Sequence, residues 1–117
     1  MYFKKNIGGL GEKVSAEYLE KNNYKVICRN FNSRFGEIDL IAKDKDELVF
    51  IEVKTRRSLK YGMPSEAINN QKLKHIKETA KYYLYKTKQE DLNIRFDAIE
   101  VYLGNGNYRI NHIKRII

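Results

Sequence analysis

The sequence predicts an α/β fold in which a mixed central β-sheet is flanked by helices. Helical and strand-like patterns alternate along the chain in the order α-β-β-β-α-β-β. In the strand predicted at residues 47–54, apolar side chains occupy both faces, as is typical of a central strand covered on each side. The length of 117 residues suits one core, so we expect a single domain over residues 1–117.

The first half of the chain supplies one helix and three strands. Residues 8–22 carry apolar side chains at helical spacing and predict the first helix. Residues 24–30 are rich in strand-forming residues and predict a short strand. Residues 37–43 and 47–54 flank the charged segment "KDKDE", which predicts a hairpin.

The second half supplies a loop, a helix and a second hairpin. Residues 55–64 are basic and end in a glycine and a proline, which predicts a loop. Residues 65–86 predict the longest helix, with Ser65 as its N-cap. Residues 94–103 and 108–116 predict two strands joined by the turn "GNGN".

The composition is that of a basic globular protein. Lys and Arg total 23 against 15 Asp and Glu, and this net charge of +8 favours a polyanionic partner such as DNA, RNA or an anionic membrane surface. No apolar run approaches the roughly 20 residues that cross a bilayer, and the N-terminus lacks the apolar region of a signal peptide. The single cysteine, Cys28, is interpreted as a packing residue. We therefore expect a cytoplasmic protein without a membrane partner.

Two acids and a lysine interrupt the apolar strands of the first hairpin. Asp39 belongs to its first strand, and Glu52 and Lys54 project from one face of its second strand. Hairpin pairing brings Asp39 alongside Glu52. Two carboxylates and an ammonium suit a hard divalent cation such as Mg²⁺ and the hydrolysis of a phosphodiester. The alternative is a partly buried salt bridge in which Lys54 neutralises one of the acids.

Two further charged residues lie on helix faces that are directed towards the predicted sheet. Glu12 lies in the same helical row as Leu19, and Lys72 lies in the same row as Ile76. Both residues therefore support a polar pocket at the acids. The alternatives are that Glu12 interacts with the helix dipole and that Lys72 extends its ammonium to water.

Two loops border the acids and predict contacts to nucleic acid, because phosphates bind cations and unstacked bases bind aromatic faces. The loop before Asp39 also carries Phe31 and Phe35. The alternative is a solvated basic surface with one of these phenylalanines packed in the core. The predicted phosphate-binding residues are Arg34 in the first loop and Arg56, Arg57 and Lys60 in the second.

Other polar residues are assigned structural roles. His75 and His112 have no partner at catalytic or metal-ligand spacing, so we expect a polar helix residue and a strand residue on the surface, respectively. Arg95 and Asp97 share a strand face and predict an ion pair, with a supporting role for Asp97 near the acids as the alternative.

Three segments carry a resemblance to a known family, and they occur in the order "GGLGEKVSAEYLEKNNYKVICRNF", "GEIDLIAKD" and "LVFIEVKTR". The chain resembles the YraN family of bacterial proteins. That family is similar to the archaeal Holliday-junction resolvases and, more distantly, to restriction endonucleases of the PD-(D/E)xK superfamily. The resemblance is strongest over residues 8–56. Ile38 stands where the superfamily motif has its proline, as is usual in this branch.

The resemblance implies a restriction-endonuclease-like fold and assigns roles to the charged residues. Asp39 and Glu52 correspond to the acids that bind Mg²⁺ or Mn²⁺, and the main-chain carbonyl of Val53 adds a ligand. Lys54 corresponds to the lysine assigned to transition-state stabilisation or water activation. Glu12 corresponds to a glutamate that the resolvase-like branch adds from its first helix.

The resemblance also implies a helix residue and a function. The helix after the ExK strand often carries Gln or Lys, which corresponds to Gln71 or Lys72. The predicted function is that of a Mg²⁺- or Mn²⁺-dependent endonuclease that hydrolyses DNA, with branched or junction DNA as a candidate substrate. A homodimer is expected by resemblance, since two symmetric cuts need two sites. The rival prediction is a nucleic-acid-binding module that keeps the fold without catalysis.

Overall fold

The structure, a computed structural model, describes residues 2–56, 69–89 and 92–117, with side chains described from Gly9 onward. The elements follow one another in the predicted order. They are α1 (Tyr2–Lys21), β1 (Lys25–Ser33), β2 (Gly36–Asp44), β3 (Glu47–Arg56), α2 (Asn70–Lys86), β4 (Asn93–Leu103) and β5 (Tyr108–Ile113).

The five strands form one mixed sheet in the order β1-β2-β3-β4-β5. β3 and β4 run parallel, and the three other neighbouring pairs run antiparallel. α2 lies between β3 and β4 in the chain, as a parallel crossover requires. This architecture confirms the predicted α/β class and agrees with the restriction-endonuclease-like fold.

β3 is buried on both faces. Val49 and Ile51 join a cluster with apolar residues of α1, whereas Phe50 and Leu48 join a cluster with apolar residues of α2. Burying one such side chain contributes about 1.5–3 kcal/mol relative to leaving it exposed. The charged residues near the end of β3 are therefore carried by a well-packed central strand.

Both helices begin at residues other than those predicted. α1 begins at Tyr2 and runs through the glycines at positions 8 and 9, where the helical pattern had suggested a start. α2 begins after Asn69, whose side-chain oxygen accepts a hydrogen bond of 2.8 Å from the amide of Lys72. The predicted cap, Ser65, lies outside the described residues. With 20 residues, α1 is longer than α2 with 17, so the prediction that the second helix is the longest is wrong.

None of the described helices combines the length and the apolar character that crossing a membrane requires.

Candidate active site

The acids and lysines predicted from the sequence converge near the end of β3. β2 begins beside the end of β3 because the two strands are antiparallel, with Leu40 paired to Ile51. The first turn of α2 lies against the same place. The cluster comprises Glu12 from α1, Asp39 from β2, Glu52 and Lys54 from β3, and Lys72 from α2.

Asp39 is held against the backbone of β3. The amide N–H of Val53 donates a hydrogen bond of 2.8 Å to Oδ2 of Asp39. This bond places the carboxylate beside Glu52, the residue before Val53. The contact that the structure shows at Val53 is thus through its N–H, and the metal-binding role of its carbonyl stays a prediction.

Glu52 is the most enclosed acid of the cluster, with 9% of its side chain exposed. Its Oε1 lies 2.9 Å from Nζ of Lys72 and 3.7 Å from Nζ of Lys54. Lys72 therefore forms an ion pair with Glu52 instead of extending to water. Gln71, the other candidate on this helix, is exposed. The structure thus selects Lys72 as the α2 residue of the cluster.

Glu12 reaches the cluster because α1 passes very close to the end of β3. A Cβ atom built on Gly11 would overlap the hydroxyl oxygen of Thr55, so a glycine is needed at this approach. Oε1 of Glu12 accepts a hydrogen bond of 2.8 Å from Nδ2 of Asn30 and lies 3.6 Å from Nε of Arg29. Sequence reasoning missed Asn30, because nothing in a strand pattern marks a residue that contacts a helix 18 positions earlier.

The electrostatics of the cluster are dominated by burial and by the proximity of like charges. Burial, followed by the neighbouring carboxylate of Glu52, raises the pKa of Asp39 to about 7, although the bond from Val53 opposes this shift. Glu12 and Glu37 add smaller effects in the same direction. The negative charge around Asp39 is therefore only partly compensated in the metal-free protein.

Lys54 and Lys72 both lie near the carboxylate of Glu52, but their pKa values shift in opposite directions. Burial, followed by the adjacent ammonium of Lys72, lowers the pKa of Lys54. Burial opposes the charged form of Lys72 too, but its hydrogen bonds with Lys54 and Glu52 outweigh burial and raise the pKa of Lys72. Lys54 is therefore the cation of the pair that more readily gives up its proton.

The donor set fits a hard cation. In the described part of the chain, no three His, Cys, Asp or Glu side chains form a group that could hold a metal ion by themselves. The predicted set is smaller and consists of oxygen atoms: the carboxylates of Asp39 and Glu52 and the carbonyl of Val53. Mg²⁺ is commonly bound by one or two carboxylates while it keeps several waters. A cation would also relieve the repulsion that raises the pKa of Asp39.

Of the four predicted phosphate-binding residues, Arg34 and Arg56 lie in the described part of the chain. Arg34 is exposed in the β1–β2 turn, with its guanidinium 5.0 Å from the centre of the Phe35 ring. Arg56 ends β3 and is half-buried. Arg57 and Lys60 lie outside the described residues, as does the rest of the predicted basic loop after Arg56.

Phe31 and Cys28 pack as core residues. The ring of Phe31 meets that of Tyr83 edge to face at 5.1 Å, and both Phe31 and Cys28 contact the apolar cluster beneath α2. The core alternative for Phe31 is therefore confirmed, as is the packing role of Cys28. Phe35 is half-buried, with its ring centre 6.2 Å from that of Tyr82.

A second polar network lies on the sheet face covered by α1 and reaches the first residue of β3. Arg95 forms ion pairs with Asp97 at 2.9 Å and with Glu47, the first residue of β3, at 3.1 Å. The predicted Arg95–Asp97 pair is confirmed. Asp97 is paired with Ile51, the residue before Glu52, but its carboxylate contacts Arg95 and His112, so its alternative role beside the acids is not supported.

His112 is part of this second network, and the prediction that it lies on the surface is wrong. Its Nε2 is 2.7 Å from Oδ2 of Asp97, and its Nδ1 is 3.0 Å from the hydroxyl of Tyr18. Only 5% of the His112 side chain is exposed. α1 places Tyr18 over β5, and this contact joins residues 94 positions apart, so no local pattern signals it.

Comparisons with known proteins agree with the resemblance seen in the sequence. Residues 11–101 match the family described as "Uncharacterised protein family UPF0102", and this range includes every acid and lysine of the cluster. A "UPF0102 protein" of Caldicellulosiruptor saccharolyticus is 45% identical over 104 residues, covering 89% of this chain and 88% of that protein. "UPF0102 protein CLJ_B2665" of Clostridium botulinum is 48% identical over 116 residues, covering 97% and 94%. Neither name states an activity.

A similarity to a solved structure was also found. "Crystal structure of SSO0001" is 23% identical, with a TM-score of 0.33, over 91% of this chain and 49% of that chain. This chain thus spans about half of that protein. The similarity is too low to carry an inference about the site.

Proposed function

We propose that this protein, which belongs to the UPF0102 family, is a metal-dependent endonuclease that hydrolyses phosphodiester bonds in DNA. The observation that carries the proposal is the meeting of Asp39 and Glu52, from neighbouring strands, with Lys54 and Lys72 near the end of β3. Two acids that can hold a metal ion and two lysines that can stabilise negative charge are groups suited to metal-assisted phosphodiester hydrolysis.

The carboxylates of Asp39 and Glu52, with the carbonyl of Val53, would hold Mg²⁺ or Mn²⁺. Such an ion supplies Lewis acidity towards a phosphoryl oxygen and lowers the pKa of a bound water. The N–H of Val53 orients Asp39 for this purpose through its 2.8 Å hydrogen bond. Lys72 orients Glu52 in the same way through its 2.9 Å ion pair.

Lys54 is the residue best placed to act on the reacting phosphate. It is the farther of the two lysines from Glu52, at 3.7 Å against 2.9 Å, so its ammonium is less committed to that carboxylate. As a cation, Lys54 would stabilise the negative charge that develops on the phosphoryl oxygens. Because its pKa is lowered, a larger fraction of Lys54 than of an ordinary lysine is in the neutral form that can accept a proton from an attacking water.

The basic character of the chain supports a polyanionic substrate. The net charge is +8, and Arg34 and Arg56 flank the acids from the β1–β2 turn and from the end of β3. We extend the proposed DNA contact to Arg57 and Lys60 from their positions in the sequence. Similarity to the junction resolvases suggests branched DNA and a homodimer, and both belong to the proposal.

A binding module without catalysis is the second candidate. The 2.9 Å pair between Lys72 and Glu52 favours it, because this lysine neutralises the buried acid without any metal. A titration with Mn²⁺ separates the two candidates. An enzyme site should gain thermal stability with Mn²⁺ in the wild type and lose this gain in Asp39→Ala, whereas a binding module should show no such gain.

The decisive test of the enzyme is a cleavage assay with Mg²⁺ or Mn²⁺ on linear, single-stranded, flapped and four-way DNA. We expect the wild type to cut at least one of these substrates. Glu52→Ala should reduce cleavage by roughly 100-fold or more. Glu17→Ala, which changes an exposed acid on α1, should cut like the wild type. Absence of wild-type cleavage on every substrate would refute the proposed activity.

A further inference from the structure

Asn30 lies at an irregular point of β1, opposite Asp39. The β1–β2 pairs on either side are Arg29 with Leu40 and Phe31 with Ile38, so Asn30 faces Asp39 across the two strands. Its φ of 55° lies in the left-handed region, which only a few residue types adopt readily, Asn among them. A break in strand geometry beside a functional carboxylate often serves to redirect a side chain.

The side chain of Asn30 contacts α1 across the candidate active site. Its Nδ2 donates a hydrogen bond of 2.8 Å to Oε1 of Glu12. The guanidinium of Arg29 approaches the same oxygen at 3.6 Å, beyond hydrogen-bond distance, so this ion pair restrains Glu12 less than the bond from Asn30 does. Among the described residues, every polar contact of Glu12 falls on Oε1, and Oε2 makes none.

We propose that Asn30 is a positioning residue that orients Glu12 towards the metal, an inference that rests on the proposed function. The bond to Oε1 holds the carboxylate and leaves Oε2 available to a water bound to the metal ion. A neutral amide is suited to this role because it orients Glu12 without cancelling its charge.

The competing explanation is that Asn30 is present only for its backbone conformation. Two substitutions separate the explanations, because Gly and Asp both tolerate a positive φ. Asn30→Gly removes the side-chain donor, and Asn30→Asp replaces it with an acceptor that repels Glu12. Asn23 offers a matched control, since it is exposed, has a φ of 69° and lies in the turn after α1, away from the cluster.

The first measurement needs no metal. In nuclear magnetic resonance spectra, the side-chain amide signal of Asn30 should shift when Glu12 is changed to Gln, and the side-chain amide of Asn23 should not. An unchanged Asn30 signal would overturn the proposed contact whatever the function of the protein.

The second measurement is the Mn²⁺ affinity of the folded protein, followed by electron paramagnetic resonance of the free ion. Asn30→Gly and Asn30→Asp should each weaken binding roughly tenfold, as loss of an orienting partner does in other metal sites. Asn23→Gly should bind like the wild type. In a Glu12→Gln background, Asn30→Gly should add almost no further loss of Mn²⁺ affinity, because the carboxylate that Asn30 orients is already absent.

The outcomes distinguish the positioning role of Asn30 from the proposed metal-dependent nuclease. Equal losses from Asn30→Gly with and without Glu12 would mean that Asn30 acts through the backbone, which would overturn the positioning role. If the wild type binds no Mn²⁺ while the amide signal shifts as expected, the contact stands, but the proposed function fails and the positioning role fails with it.

Discussion

The ammonium of Lys72, in the first turn of α2, lies 2.9 Å from Oε1 of Glu52, near the end of β3. This ion pair joins the helix to the strand at the point where Asp39 also arrives. Because only 9% of the Glu52 side chain is exposed, removing its closest cation leaves a poorly solvated carboxylate.

Lys72→Met should therefore lower the free energy of unfolding of the metal-free protein. We expect a loss of about 1 kcal/mol, less than for a fully buried pair, because 30% of the Lys72 side chain is exposed. Denaturant unfolding with and without Mn²⁺ measures the effect. Mn²⁺ should stabilise the variant more than the wild type, since a bound cation replaces the lost ammonium. Lys74→Met, at an exposed α2 position, is the control. An equal Mn²⁺ effect in all three proteins would contradict a metal ion that takes the place of the Lys72 ammonium beside Glu52.

Asp39→Asn should stabilise the metal-free protein at neutral and higher pH. The pKa of Asp39 is about 7 in the folded protein against an ordinary value of 3.8, so the folded state binds this proton more tightly than the unfolded chain. The resulting stabilisation is fully present below the ordinary pKa and is lost as the pH rises to about 7 and beyond. Asparagine keeps an acceptor for the N–H of Val53 and carries no charge.

The comparison is made by denaturant unfolding in the presence of a chelator. The gain from Asp39→Asn should be small near pH 4 and reach roughly 1–3 kcal/mol at pH 8. Asp46→Asn, at an exposed position, should show no comparable dependence on pH. A variant that is less stable than the wild type at pH 8 would show that the carboxylate is well compensated without metal.

Gly11→Ala should displace α1 from the end of β3. The added methyl group would overlap the hydroxyl of Thr55, and overpacking of this kind costs about 1–3 kcal/mol. We expect a lower melting temperature and weaker Mn²⁺ binding, because Glu12 is the next residue. The double variant with Thr55→Ala should recover both.

Gly9→Ala is the control for Gly11→Ala. A Cβ at Gly9 meets nothing within 4 Å, so this change in the same helix should stabilise the protein by up to about 1 kcal/mol. If the two alanine variants behave alike, the close approach of α1 to β3 is not a constraint on the site.

Asp97→Asn should destabilise the protein without disabling the candidate active site. Burial opposes ionisation of Asp97, but hydrogen bonds with His112 and Arg95 and from the amide of Arg115 outweigh burial and lower its pKa. The ionised carboxylate therefore stabilises the fold above its ordinary pKa of 3.8, and this contribution is lost as the pH falls below that value. At pH 7 the variant should lose roughly 3 kcal/mol, since Asp97 is fully buried in an ion-paired network.

The measurement is denaturant unfolding at several pH values, together with Mn²⁺ titration of the folded variant. The difference in unfolding free energy between wild type and variant should shrink as the pH falls below 3.8. Asp97 then becomes protonated, first in the unfolded chain, and resembles the neutral asparagine of the variant. Mn²⁺ affinity should be unchanged at pH 7, because the Asp97 carboxylate contacts Arg95, His112 and the amide of Arg115 and none of the acids or lysines of the cluster. A loss of Mn²⁺ binding by the folded variant would contradict this separation.

Much of the fold could be predicted because its signals are local. The alternation of helical and strand periodicities predicted the order of the elements, and the apolar faces of β3 predicted its central position. The nearness of Asp39 and Glu52 was also predictable, since a hairpin with a short turn brings its strands into register. Helix boundaries were less predictable because glycines at positions 8 and 9 continue α1, and Asn69 caps α2.

The contacts of Lys72 with Glu52 and of Asn30 with Glu12 could not be predicted. Periodicity indicated the helix face of Lys72 and the resemblance left Gln71 or Lys72, but only the packing of α2 on the sheet directs Lys72 to Glu52. The left-handed conformation of Asn30 and its bond to Glu12 have no counterpart in a strand pattern.

The sequence by itself determined which segments form helices and strands, which faces they bury, and that two acids and a lysine lie together on a hairpin. Periodicity and hairpin register depend on residues that are close together in the chain, so they can be recognised in the sequence. Only the tertiary structure decided that Lys72 binds Glu52, that Asn30 holds Glu12, and that His112 is buried against Asp97. These contacts join distant segments, and their geometry follows from how the two helices pack on the finished sheet.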